Sequence, residues 1–347
     1  MDARERLQHY QALIAPGTAL RDGLERIVHG RTGALIVLGN NREVQKTVTG
    51  GFPIDVPFTP SALRELSKLD GGIVLSDDLG TIVRAGVHFV PDGSLPTEET
   101  GTRHRTSDRL SRQTGIPVAT VSAAMSTISL FMDGVRHPVE STQLVLARTN
   151  QALTAMFSHR MQERQLARTL NVQEIQDQAT ISDVVRLAQR VELGRRLELE
   201  VRDALIVLGA EGRLLETQLA EITQGRDEMG ELLGRDYVED APGMAGLADL
   251  TDPELLELAT VSMAFGFGKA HLDDRVQAHG YRQLRGLPRV TDDIASKLLA
   301  HFGSLQDLLA ASTSELASVD GISVQRARGI RDGLMRMTES ALNDPLN

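Results

Sequence analysis

The sequence predicts an α/β N-terminal domain with a mixed central sheet, then an all-α helical spine, then an all-α domain of short helices and glycine hairpins. Three observations carry that reading. Residues 1 to about 140 alternate β-rich runs with short helical stretches, as a mixed α/β domain does. From about 140 to 275 the strand signals mostly vanish, and Leu166, Leu170, Val184, Leu187, Ala188 and Val191 recur at helical spacings. From about 276 come two units of apolar helix entry, tight turn and helix, a weak internal repeat. The expected domains are 1–140, 141–275 and 276–347, and a chain of 347 residues is long enough for two or three cores.

The elements follow in order. Residues 34–38 read as a buried strand ended by Gly39, and Thr59 caps a helix whose first position is Pro60. Strands at 72–76 and 81–85 flank a hairpin turn at 77–80. A helix over 103–113 is stopped by Gly115. Two more strands cover 117–122 and 127–132, with a turn at Asp133-Gly134. In the spine, Glu192, Arg195, Arg196, Glu198, Glu200 and Arg202 fill the polar face, and nothing there points to catalysis. Residues 201–208 have strand-like composition, but their charged flanks favour helix. The clearest linker is 242–246, and Thr251 caps the helix after it, with Pro253 in the first turn. The last region reads as helices over 292–301, 314–319 and 324–335, with a hairpin at 320–323.

Composition excludes several classes. The net charge of −10 argues against a general nucleic-acid coat protein, while leaving room for one local DNA-binding module. With no cysteine there are no disulfides, thiolate metal sites or cysteine nucleophiles, which suits a reducing cytoplasm. The N-terminus is polar, so no signal peptide is expected, and apolar runs fall far short of the ~20 residues of a membrane span. Three Tyr, eight Phe and no Trp disfavour stacking platforms for single strands. The chain lacks a P-loop, and Gly30-Arg-Thr-Gly33 precedes its strand where a dinucleotide fingerprint would follow it. No H-E-x-x-H or G-x-S-x-G occurs.

Two features carry chemistry. In Gly101-Thr102-Arg103-His104-Arg105-Thr106, two arginines stand in a first helical turn, against a macrodipole that favours anions there. A helix N-terminus with two guanidinium forks makes a polyphosphate cradle; the plainer reading is an exposed basic turn. Asp70-Gly71-Gly72 closes one helix just before a strand. Gly71 suits a simple chain reversal, yet two glycines also let a ligand approach the backbone, with Asp70 at the strand mouth to bind Mg²⁺ or Mn²⁺ or assist a hydroxyl.

Together the two motifs resemble those of the DisA-type diadenylate cyclases, which carry an Asp-Gly-Ala and an Arg-His-Arg motif. The stretch from Pro91-Asp92 through Pro96-Thr-Glu-Glu-Thr-Gly-Thr-Arg-His-Arg-Thr106 matches closely, as does the order of cyclase domain, helical spine and helix-hairpin-helix domain, over essentially the whole chain. Gly72 departs from the family's alanine. The resemblance implies condensation of two ATP into cyclic di-AMP and two pyrophosphates. It assigns Asp70 to the metal (Mg²⁺ or Mn²⁺) and to the hydroxyl, and Arg103 and Arg105 to phosphates. His104, Thr102 and Thr106 become donors to the triphosphate, and Gly71 and Gly72 the backbone beneath the nucleotide. Phe89 falls where the family places an apolar residue near adenine; its plainer reading is core. The alternative is a DNA-structure sensor that binds nucleotide with little or no turnover. The resemblance also implies a homo-oligomer, an octamer, although the helices of residues 140–235 serve intramolecular packing equally well. It further implies a cytoplasmic, nucleoid-associated protein of DNA damage and repair with no membrane partner.

Between Arg282 and Arg336 lie eight basic and six acidic residues, a reversal of sign in an acidic chain. Gly321 and Ser323 fall in the hairpin, flanked by Arg326 and Arg328. These four are the expected contacts to DNA backbone, and by resemblance the target is branched DNA such as recombination intermediates. A protein–protein helical module is the competing reading.

Overall fold

The structure is a computed structural model that describes residues 2–238 and 241–343. The chain forms two compact units, Met1–Gln151 with Val201–Thr217, and Ala152–Glu200 with Gln218–Asn347.

The first unit opens with α1 (Ala3–Leu13) and α2 (Ala19–His29). Each is started by a side-chain cap: the Asp2 carboxylate accepts the Glu5 N–H, and the Thr18 hydroxyl accepts the Arg21 N–H. Then come β1 (Ala34–Val37), α3 (Arg42–Thr47), β2 (Val48–Thr49), β3 (Phe52–Pro57), α4 (Pro60–Leu66), β4 (Gly72–Leu75) and β5 (Thr81–Phe89). After α5 (Thr102–Thr114), the strands β6 (Val118–Ser122), β7 (Thr127–Met132) and β8 (Val135–Val139) complete the sheet. Its order is β2-β5-β4-β1-β6-β7-β8, with β3 also on β5. The pair β1–β4 is parallel and the others are antiparallel, so the sheet is mixed as expected.

The central strands are buried on both faces, which is why they read as continuous apolar runs. Ile36 and Ile73 join Leu24 and Ile27 of α2 and Leu63 of α4 in one core. Their neighbours Leu35, Val37 and Val74 join Leu110 of α5 and Phe131 in the other. The period-2 alternation of the strand thus feeds two helical layers. Thr59 and Pro60 start α4 as expected, and Gly115, at φ 66, ends α5 in the left-handed conformation.

The remaining helices begin with α6 (Thr142–Ile175), α7 (Ile181–Leu208) and α8 (Arg213–Thr223). Residues 201–208 are helical, and this segment packs within the first unit. Asp203 pairs with Arg4 at 2.6 Å and accepts from Gln8 at 2.8 Å, and the Ala210 N–H donates to the Pro16 carbonyl at 3.1 Å.

The second unit continues with α9 (Arg226–Tyr237), α10 (Met244–Ala248), α11 (Asp252–Leu255) and α12 (Leu258–Ser262). Val184, Leu187, Ala188 and Val191, the periodic residues of the sequence, are buried here against Leu233, Leu247 and Phe265. After α13 (Tyr281–Arg285) and α14 (Asp292–Phe302) come α15 (Leu305–Ala310), α16 (Thr313–Ser318) and α17 (Val324–Asn343). The internal repeat is structural. Leu284, Leu287, Val290, Ala295 and Leu298 are matched position for position by Leu316, Val319, Ile322, Ala327 and Ile330, and all ten are buried in one core. Among the described residues no helix is long and apolar enough to cross a membrane.

Candidate nucleotide site and DNA-binding hairpins

The candidate site lies at the end of the sheet where β4 begins and α5 begins. Gly71 adopts φ +116, and a Cβ there would stand 2.7 Å from the Gly86 and Val87 backbones. Both facts exclude a side chain, so the chain passes β5 bare. Opposite, β5 carries a bulge: Gly72 pairs with Val87 and Ile73 with Ala85, leaving Gly86 unpaired at φ +65. The bulge shifts the alternation of β5 just ahead of His88 and Phe89.

A cavity of about 720 Å³ opens there. Asp70, Gly71 and Gly72 form one wall, Phe89, His88 and Val87 another, and Thr102, Arg103, His104 and Thr106 a third. Leu35 of β1, Ser122 at the end of β6, and Ala124 and Met125 of the β6–β7 turn also line it. The lining combines apolar side chains, Leu35, Val87, Phe89 and Met125, with cationic and hydroxyl groups, Arg103, Thr102 and Thr106, which suits a ligand with a flat base and a charged tail.

The start of α5 is built to receive an anion. Its N-cap is Gly101, at φ 82, with no capping side chain and no acid in the first turn. The first-turn N–H groups are therefore left for a ligand. Positions 103 and 106 are three apart and share a helix face with the cavity. Arg105 is exposed and lies outside the cavity wall, because a two-residue step turns it to the far side of the helix. The Arg103 guanidinium lies over the bare backbone of Gly33, where any Cβ would collide with it. Arg109 holds the preceding loop by donating to the Leu95 carbonyl at 2.9 Å.

His104 is partly buried, with its ring centroid 5.8 Å from that of Phe131. Burial first, then Arg136 and Arg103, hold its imidazole below the ordinary histidine value, against the pull of Glu99 at 3.8 Å. It is neutral at pH 7 and offers one N–H donor. The Asp70 carboxylate is exposed, and no protein group among the described residues hydrogen-bonds it. No cluster of three or more His, Cys, Asp or Glu that could hold a metal occurs among the described residues.

The structure therefore brings Asp70, Gly71, Gly72, Phe89, Thr102, Arg103, His104 and Thr106 around one cavity and leaves Arg105 beside it. Leu35, Val87, His88 and the β6–β7 turn carry no local mark of a site in the sequence. Gly86 inside a strand pattern was the one available signal, since such a glycine marks a bulge. In the second unit, Gly321 holds φ +82 at its hairpin. The Ser323 hydroxyl accepts the Arg326 N–H at 3.3 Å, Arg326 donates to the Gly321 carbonyl at 3.2 Å, and Arg328 is exposed.

Residues 21–136 match the family described as DisA bacterial checkpoint controller nucleotide-binding, and 139–272 match the DisA bacterial checkpoint controller linker region. A proteins-wide comparison adds the "DNA integrity scanning protein DisA" of Streptomyces avermitilis, 48% identical over 340 residues, covering 95% of this chain and 91% of that protein. The protein of the same name from Cutibacterium acnes is 49% identical over 335 residues, covering 94% of this chain and 97% of its own length. The chain belongs to the DisA family. Every residue lining the cavity falls within the nucleotide-binding match of this DisA-family chain. Both hairpins fall within a third match, residues 281–336, described as a SAM-like helix-hairpin-helix tandem.

Proposed function

We propose that this DisA-family chain is a diadenylate cyclase that condenses two ATP into cyclic di-AMP and two pyrophosphates, and that its helix-hairpin-helix tandem senses branched DNA. The observation that supports this best is the single cavity with a free carboxylate on one wall and Arg103, hydroxyls and uncapped helix amides on another.

In each half-reaction the 3′-hydroxyl of one nucleotide attacks the α-phosphorus of the other. The O3′–P bond forms, the bond to the β-phosphate oxygen breaks, and pyrophosphate leaves. Asp70 takes the hydroxyl proton. Arg103, the first-turn amides of α5, Thr102 and Thr106 stabilise charge on the phosphoryl oxygens and the leaving group. Neutral His104 donates an N–H to a phosphate oxygen. Gly71 lets the nucleotide lie against the strand, and Phe89 with Leu35 takes the base. Arg105 reaches phosphate only at the mouth of the site.

One carboxylate is a poor protein-only metal site but fits Mg²⁺ or Mn²⁺, which bind through one or two carboxylates plus substrate phosphates. Asp70 is the residue that would hold the ion, and the ion, when bound, would screen the phosphate charge. The Asp70 cavity of each chain holds one nucleotide, so two copies face each other, as in the octamer implied by the family.

Purified protein is incubated with ATP and Mg²⁺ or Mn²⁺, and cyclic di-AMP is sought by chromatography. The expected result is product from the wild type and none from Asp70→Asn, with folding and ATP binding retained. No product from wild-type protein that still binds ATP would leave a nucleotide-binding DNA sensor instead. Full turnover in Asp70→Asn would remove that residue from the chemistry.

A further inference from the structure

The two halves of the tandem are alike in backbone and in formal charge, and unlike in how their basic side chains are paired. In the first half the basic side chains are mostly engaged by carboxylates. Arg282, with its side chain 4% exposed, pairs with the fully buried Glu174 of α6 at 2.8 Å. Arg285 pairs with Glu228 of α9, and Lys297 with Asp293 at 2.8 Å. The helix that follows the first hairpin begins with Asp292 and Asp293, both well exposed, so its first turn presents negative charge.

The first half is also fastened from behind. The Asp236 carboxylate of α9 accepts the N–H groups of Gly280, Tyr281 and Arg282 at 2.8, 2.6 and 3.1 Å. Arg235 lies over the Tyr281 ring, 3.9 Å from its centroid, and pairs with Asp292 at 3.0 Å.

The second half carries Arg326, Arg328 and Arg336, all exposed and none in an ion pair among the described residues. The helix after its hairpin begins Val324-Gln325-Arg326, without an acid. Arg289 stands out in the first half. It occupies the hairpin position matched by Gly321 and holds φ +66, a conformation that costs an arginine roughly 1 kcal/mol. It is exposed and unpaired among the described residues. It shares a cleft of about 200 Å³ with Ser323, Gln325 and Arg326 of the other hairpin. Two guanidinium groups at one cleft, Arg289 and Arg326, neither in an ion pair among the described residues, in a chain of net charge −10, fit a polyanion.

We infer that the tandem grips the phosphodiester backbone of duplex DNA with its second half, Arg289 being the first half's only contact, while the rest of the first half is the fixture that holds the tandem to α6 and α9. This deepens the proposed DNA-sensing role and rests on it.

The test is fluorescence anisotropy with the full chain and a labelled DNA duplex across a salt series. Arg289→Ala, Arg326→Ala and Arg328→Ala should each weaken binding at least about threefold and lower the salt slope by about 1. Arg285→Ala and Asp292→Asn should leave affinity within about twofold. If the first half met phosphate, Asp292→Asn would tighten binding and Arg285→Ala would weaken it, and either change overturns the inference. No change on removing Arg289 and Arg326 together overturns it as well. If the wild type binds no duplex even at low salt, the DNA-sensing role falls and takes this inference with it. A preference for RNA over the DNA duplex would likewise count against it.

Discussion

Gly72 and Phe89 act as one steric unit. The Gly72 backbone is not left-handed, so its lack of a side chain is a matter of space. A Cβ would run into the Phe89 ring and stand 2.9 Å from the Leu35 carbonyl. An alanine at this position is therefore crowded from two sides, by the Phe89 ring and by the Leu35 backbone. Gly72→Ala should overpack the cavity wall by about 1–3 kcal/mol and weaken ATP binding roughly tenfold. Adding Phe89→Leu should restore part of the affinity by freeing the volume of the ring, while the Leu35 carbonyl still crowds the added methyl. Titration calorimetry of the two single variants and the double variant decides it, and a harmless Gly72→Ala would show that the ring is not in the way. His104 carries a second expectation at this scale. Its imidazole is held neutral, so a bound triphosphate favours proton uptake there. ATP affinity should rise as pH falls from about 7.5 to 5.5, and His104→Gln should flatten that rise.

At the scale of elements, the legible parts were those where one local force dominates. The runs of β1, β4 and β6 read as strands because both faces are buried. The cap at Thr59 and the stop at Gly115 read correctly because the chemistry of a helix end is local. Strands β3 and β8 were hidden by Pro53, Pro57 and Pro138. Each of these strands pairs on one side only, β3 with β5 and β8 with β7, where a missing N–H costs little. The candidate site was half legible. Asp70 and the 101–106 stretch stood out as polar residues in unusual local settings. Leu35 and Met125 look like any apolar residue until the sheet brings them to the cavity.

The join of α13 to α6 and α9 shows the same limit, since nothing local marks Glu174 as the partner of Arg282. Burial pushes the Glu174 carboxyl up, and Tyr237, whose own ionisation burial raises well above the usual phenol range, stays protonated and donates to it. Arg282→Met would leave that carboxylate buried without its cation, a loss of about 3–5 kcal/mol at neutral pH. A raised folded-state pKa destabilises above it and not below the unfolded value near 4.3. The defect should therefore shrink as pH falls toward 4.5, and a companion Glu174→Gln should relieve it at pH 7. Urea unfolding at several pH values reads both, and a defect that deepens in acid would contradict the assignment.

At the scale of the whole molecule, the proposed product would set a condition that one chain does not meet by itself. Cyclic di-AMP, the proposed product, joins two nucleotides symmetrically, while the Asp70 cavity of each chain would hold one of them. If two cavities must face each other with both competent, activity depends on pairs of chains. Wild-type and Asp70→Asn chains mixed by co-refolding in equal parts should then retain about a quarter of full activity, because only pairs with two intact carboxylates turn over. Independent sites would retain about half. A mixing series across several ratios separates a squared dependence from a linear one. Size-exclusion chromatography run alongside confirms that the variant enters the same assemblies. A linear series from fully mixed assemblies would mean that one carboxylate suffices for both bonds, and the facing-site arrangement would have to be replaced by sequential chemistry at a single cavity.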